Sequence, residues 1–142
     1  MSAPTDNLRQ NGPEFPLGRF TVLNAVQLHP IECPPDADVR TVARTMAENS
    51  IHCVVVRGLE RDGWGIVSDL DLMAALRPDL ADATAAQLAA TDTVIVEPGD
   101  ALDHAAQLMV EHQATHAVVA DTATGEPVGI LSTLDIARFA AG

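Results

Sequence analysis

The chain has no lysine and no tyrosine, one tryptophan and three phenylalanines. Its core must therefore be aliphatic, and it lacks the aromatic platforms on which single-stranded nucleic acids stack. All eight basic residues are arginines, set against twenty carboxylates for a formal charge of −12. A surface this acidic repels phosphate backbones and anionic head groups, which sets aside nucleic acid and membrane as partners. No stretch approaches the ~20 apolar residues of a membrane span. No basic segment followed by an apolar run stands at the N-terminus, so a cytoplasmic protein is expected. The only cysteines, Cys33 and Cys53, each lie in an apolar run and read as free thiols rather than a bridge. What is present is a 142-residue chain with 47% hydrophobic residues, enough for one compact domain or two half-domains sharing a core.

Residues 1–18 hold three prolines and two glycines without apolar period, and read as a flexible lead-in. The run Val22 to Leu28 fits a helical turn or a strand, and Ile31 to Cys33 fits a short strand stopped by Pro34 and Pro35. Val39, Val42, Ala43, Met46 and Ala47 follow the i, i+3, i+4, i+7, i+8 stripe of an amphipathic helix, which Asp38 or Asp36 can cap. The nearly continuous apolar run Ile51 to Val56 reads as a strand covered on both faces. Gly58 to Gly63 is a polar turn, and Trp64 to Val67 a strand leading into a short helix from Ser68 to Leu76.

The same order returns about 63 to 64 residues later. Val94 to Val96 answers the first short strand. Leu102, Ala105, Ala106, Met109 and Val110 answer the helical stripe, and Ala117 to Ala120 the covered strand. Thr122 to Glu126 answers the turn, and Val128 to Leu131 the strand that runs into Ser132. Each unit closes on one eight-residue design, GIVSDLDL at residues 65–72 and GILSTLDI at 129–136. Two copies are too few for a solenoid, so each must bury its sheet against the other. The spacing predicts an α/β (α+β) fold of two related units with pseudo-twofold symmetry. The first unit spans 19–77, the linker 78–83 and the second unit 84–142.

Over roughly residues 20 to 140, this order of elements and the paired GIxSxxD-type turns resemble the cystathionine-β-synthase (CBS) domain family. The resemblance implies two β-α-β-β-α repeats packed sheet to sheet, association into a homodimer, and an adenosine-containing ligand such as AMP, ADP, ATP or S-adenosylmethionine between the repeats. It places Ser132, Thr133, Asp135 and Ile130 in one cleft with Ile31, Ile51 and His52. It places Ser68 and Asp71 in a second cleft with Val94, Ala114 and Thr115.

The chemistry of the turn agrees. A helix N-terminus offers unpaired amides and a partial positive charge, so it can hold a phosphate without lysine. An aspartate in the first turn can accept both hydrogen bonds of a ribose diol. Ser-x-x-Asp is equally a capping box that serves only its own helix. The residue before each aspartate is a leucine, Leu70 or Leu134, where many nucleotide-binding relatives carry a base. In the first copy Asp69 follows the serine and repels phosphate by about 1 kcal/mol or more, whereas Thr133 is neutral. The cleft of Ser132, Thr133 and Asp135 is therefore favoured, with AMP or an adenosyl compound over ATP. Arg138 is the nearest base and reads as a solvated helix residue. His29, Cys33, His52 and Cys53 have no counterpart in the second copy, so no metal site is expected. No histidine is fixed beside either serine, so catalysis is not expected. The expectation is a non-enzymatic regulatory module that binds an adenosine-containing ligand and modulates a protein partner or its own dimer. The alternatives are a ligand-free dimerisation scaffold and, less favoured, a small hydrolase.

Overall fold

The computed structural model describes residues 16–60 and 63–142. Of the lead-in over residues 1–18, residues 1–15 lie outside them, as do residues 61–62, while residues 16–18 are not a flexible segment but part of a 3-10 turn whose Leu17 packs on the second core. Two sheets face each other. The first runs through β2 (Glu32–Cys33), β3 (Cys53–Leu59) and β4 (Gly63–Ser68), with β2 and β3 parallel and β3 and β4 antiparallel. The second is ordered β1 (Gln27–Leu28), β7 (Pro127–Ser132), β6 (His116–Ala120), β5 (Val94–Val96), and repeats the same parallel and antiparallel pairings.

Alternation along the central strands explains why they read as unbroken apolar runs. Val54 and Val56 face helix α2 (Val39–Asn49), together with Val42 and Met46. Cys53 and Val55 face the opposite sheet and meet Ile66 and Val118. In the second unit Ala117 and Val119 turn to helix α5 (Leu102–Glu111), against Leu102, Ala105 and Met109. Full burial of each such valine or leucine is worth about 1.5–3 kcal/mol. Asp38 caps α2, its carboxylate accepting the Thr41 N–H at 2.8 Å. Helices α2 and α5 end at equivalent left-handed residues, Ser50 (φ 53°) and Gln113 (φ 52°), which turn the chain into the central strands.

Two boundaries differ from the sequence pattern. The central strand of the first unit continues past Val56 to Leu59. Gly58, at φ 79°, accommodates a bulge there, and Arg57 is held by Glu32 at 2.8 Å and by Glu126. The run from Val22 to Leu28 supplies both elements in turn, a one-turn helix α1 (Val22–Ala25) and then β1.

The leading segment of each unit docks on the other unit. Pro16–Arg19 form a 3-10 turn, and Leu17, Phe20, Val22, Ala25 and Val26 pack into the core of the second unit, where the Phe20 and Phe139 rings meet edge to face at 4.8 Å. Strand β1 then pairs with β7. Reciprocally, helix α4 (Ala85–Leu88) places Ala85, Leu88 and Ala89 in the core of the first unit, and Ala90 bridges Ile66 of β4. The bridges Thr21–Ala101 and Asp38–Thr84 are equivalent under the repeat, as are the capping boxes of Thr21 with Asn24 and Thr84 with Gln87. The linker carries a 3-10 turn (Pro78–Leu80), and Ala83 is buried beside Val39 and Ala75. Among the described residues no helix is long and apolar enough to cross a membrane.

This exchange accounts for the glycine that opens each repeated turn. A Cβ on Gly65 would lie 2.6 Å from the Ala90 carbonyl oxygen, and one on Gly129 would lie 2.7 Å from Val26 Cγ2 and 2.8 Å from the Gln27 carbonyl oxygen. Gly65→Ala and Gly129→Ala are each expected to cost about 1–3 kcal/mol, read as a lower urea midpoint at unchanged slope. Gly99→Ala, whose Cβ would meet nothing within 4 Å, should change stability by less than about 0.5 kcal/mol. Equal midpoints for the three variants would contradict the docking of the leading segments.

Candidate functional site

Both serine turns build the same local structure. Ser68 is the N-cap of helix α3 (Asp69–Ala74), and Ser132 that of helix α6 (Thr133–Ala141). In each, the serine N–H and hydroxyl donate to one aspartate oxygen. Those distances are 2.9 and 3.0 Å to Asp71, and 2.9 Å each to Asp135. The serine oxygen in turn accepts the aspartate N–H at 3.2 Å in both copies. The capping box is therefore fully made twice, and each cap is worth about 1 kcal/mol. The first amide of each helix is also taken, Asp69 N–H by the His52 carbonyl and Thr133 N–H by the Thr115 carbonyl.

The two starts differ at the next amide. The Leu70 N–H donates to the Asp69 side chain at 2.9 Å. Thr133 replaces Asp69 in the second copy, and the Leu134 N–H meets no acceptor among the described residues. Helix α6 thus keeps one open donor at its positive end, and α3 has closed the equivalent one with its own carboxylate. Asp135 is buried, at 6% exposure. Its second oxygen lies 3.6 Å from the Arg138 guanidinium.

A cleft of about 450 Å³ opens at the start of α6, between the two units. It gathers six of the seven residues of the favoured group, namely Ile31, Ile51, His52, Ile130, Ser132 and Asp135. Thr133 is not on its wall, and faces solvent with its amide bonded to Thr115. The wall also includes Leu28, His29, Ser50, Cys53 and His116, which the sequence pattern did not single out for this site, together with Leu134 and with Arg138, the nearest base. A signal for His116 was available: it shares strand alternation with Val118, which faces the opposite sheet.

The second group lies around the start of α3 and the core of the second unit. Val94 is buried in the core of the second unit and Ala114 packs against the same core. Thr115 is exposed beside His116, with Oγ1 3.0 Å from the imidazole Nδ1. Among the described residues no hydrogen bond links any of the three to Ser68 or Asp71.

Burial disfavours the charged form of two titratable groups of the cleft. Burial pushes the His116 imidazole below its ordinary value. The Asp69 and Asp135 carboxylates pull it the other way, and His52 adds to the fall. Burial, reinforced by Asp71 and Asp69, pushes the Cys53 thiol up to about 12, so no thiolate nucleophile is present there at neutral pH. His52 is exposed, with Nδ1 3.1 Å from an Asp69 oxygen. Cys33 and Cys53 are both free and buried. Among the described residues no group of three or more His, Cys, Asp or Glu side chains is placed to hold a metal ion.

The CBS domain model matches twice, over residues 25–78 and 85–142. The chain belongs to the CBS domain family. Solved CBS domain structures have the same fold. The CBS domain pair of protein MJ0100 in complex with 5′-methylthioadenosine and S-adenosyl-L-methionine aligns with a TM-score of 0.74 at 20% identity, over 84% of this chain and 94% of that one. CBSX2 in complex with AMP aligns with a TM-score of 0.70 at 23% identity, over 86% and 96%. The CBS domain of a bacterial CNNM/CorC family Mg2+ transporter aligns with a TM-score of 0.74 at 15% identity, over 89% and 78%. No curated protein matches the sequence. In this CBS pair the cleft falls where the closing helix of the second repeat meets the loops that precede β2 and β3 of the first.

Proposed function

We propose that this CBS pair is a non-enzymatic regulatory module that binds one adenosine-containing ligand, AMP-like or adenosyl, in the cleft at the start of α6. The open Leu134 amide carries the reading, because it is an unpaired donor on the wall of an inter-repeat cleft whose equivalent in the first copy is closed. Ile31, Ile51 and Ile130 supply the apolar walls for a purine. The free oxygen of Asp135 is the acceptor for a ribose hydroxyl, in competition with Arg138. Two solved relatives are complexes, one with AMP and the other with 5′-methylthioadenosine and S-adenosyl-L-methionine, which supports the same ligand class here. A ligand in this cleft touches both repeats, so its differential affinity for two packings of them shifts that equilibrium and any partner bound to it.

A ligand-free scaffold is the second reading. It is favoured by the complete capping boxes, in which Ser132 and one oxygen of Asp135 are already satisfied. Isothermal titration with AMP and S-adenosylmethionine separates the two. One site per chain is expected. Asp135→Ala should weaken binding by about tenfold or more, the loss of one charge-assisted hydrogen bond, and Asp71→Ala much less. No heat with either ligand at millimolar concentration would leave the scaffold, and a larger effect at Asp71 would refute the choice of cleft.

The pair also fits a homodimer. Helix α3 has no buried residue; Leu70 and Met73 on it and Leu76 just beyond it are 61, 56 and 62% exposed, with Leu134 at 55% on α6. A second copy would remove these side chains from water. Sedimentation equilibrium is expected to give a dimer that Leu70→Glu with Met73→Glu dissociates, and a monomeric parent protein at tens of micromolar would dispose of it.

A further inference from the structure

The cleft holds three of the five histidines of the chain, His29, His52 and His116. With imidazoles neutral, the fixed charges at this place are Arg138 and Asp135 on the wall and Asp69 against His52, a balance of one negative charge in a chain that is already at −12. A phosphoryl dianion entering there meets repulsion, and an uncharged adenosyl group does not.

His116 is placed to change that balance. It is 8% exposed, its Nδ1 is occupied by the Thr115 hydroxyl, and its Nε2 meets no partner among the described residues. No buried side-chain nitrogen of the described residues is sealed without a partner, so Nε2 opens on the cleft that the residue lines. Thr115 can donate to Nδ1 or accept from it, so the ring can be neutral or protonated without breaking that contact. The charged and titratable groups around it are Asp69 at the start of α3, His52 before β3, Asp135 on α6 and the uncharged Cys53 thiol on β3. His52 already has a carboxylate partner that tolerates its protonated form. His29, between β1 and β2, has a backbone tie to the Val128 carbonyl.

Resting on the adenosyl reading above, we propose that His52 and His116, with Arg138, are the specificity-determining residues that set whether the cleft accepts a phosphorylated adenosine. With both imidazoles neutral the cleft favours adenosine without phosphate. When they take up protons the charge reverses, and the phosphorylated form binds. A phosphoryl group raises the proton affinity of each ring it approaches, so by linkage its binding strengthens as pH falls. The affinity for adenosine stays flat across the same range.

Adenosine and AMP, which differ by the phosphate alone, test this in titration calorimetry at about pH 7.5 and about pH 6, in buffers of different ionisation enthalpy. The expected result is a gain of about tenfold for AMP with close to one proton taken up, and no gain for adenosine. AMP itself titrates near pH 6, so the His52→Gln, His116→Gln double variant is the control. It should lose the protein's share of the gain, read as the ratio of its AMP affinities at the two pH values and so independent of any uniform change in adenosine binding. The wild-type imidazole resonances, followed by NMR with and without AMP, give the same answer should His116→Gln unfold the chain: two of the five should titrate at higher pH when AMP is bound. An unchanged AMP profile in the double variant, or imidazoles that AMP leaves alone, would overturn the proposal while adenosine binding stood. Absence of binding by both compounds at both pH values would overturn the adenosyl reading and this inference with it.

Discussion

Each repeat is closed by the backbone of the other. The leading segment of the first unit lies against Gly129 and that of the second against Gly65, at distances that leave no room for a side chain. This close approach joins strand β1 to the second sheet and Ala90 to the first, and fixes the two repeats about their pseudo-twofold axis. The same seating brings Leu28, His29, Pro30 and Ile31 to the start of α6, so the cleft exists because the segments cross. A unit cut out by itself would lose part of its core, including Val22 from one lobe or Ala85 from the other.

Symmetry then supplies two equivalent helix starts, and one substitution makes them unequal. Asp69 spends its carboxylate on the Leu70 amide and on His52, whereas Thr133 leaves the Leu134 amide unpaired. The first start is closed and carries negative charge. The second is neutral and opens on a cleft walled by apolar residues of both repeats. That one carboxylate closes the amide of the first start, and through His52 it also lends its charge to the cleft at the second.

The repeat was legible in the sequence because strand alternation and the helical stripe recur in one order, with Met46 and Met109 buried at equivalent places in α2 and α5. The crossing was not, because it uses elements too short to show any period: a four-residue helix, a two-residue strand and an isolated bridge. The glycine of GIVSDLDL and GILSTLDI was visible, but its purpose depended on which backbone lay above it. In the cleft, Ser132, Asp135 and the isoleucines could be named from the turn and the resemblance. Arg138 read as a solvated side chain and is indeed mostly exposed, yet one helical turn also sets it against Asp135 at the cleft wall. His116 could be set at the start of a strand but not at the cleft, because a strand histidine has no periodic signature of its own until the facing sheet is known.

The central claim is that the two serine turns fold alike and differ in one free amide. Backbone amide NMR reads it directly, by adding AMP to labelled protein and following the Leu70 and Leu134 N–H resonances. The account predicts that Leu134 moves downfield with saturation as its amide gains an acceptor, and that Leu70, already bonded to Asp69, holds its position. A shift at Leu70 equal to or larger than that at Leu134 would contradict it.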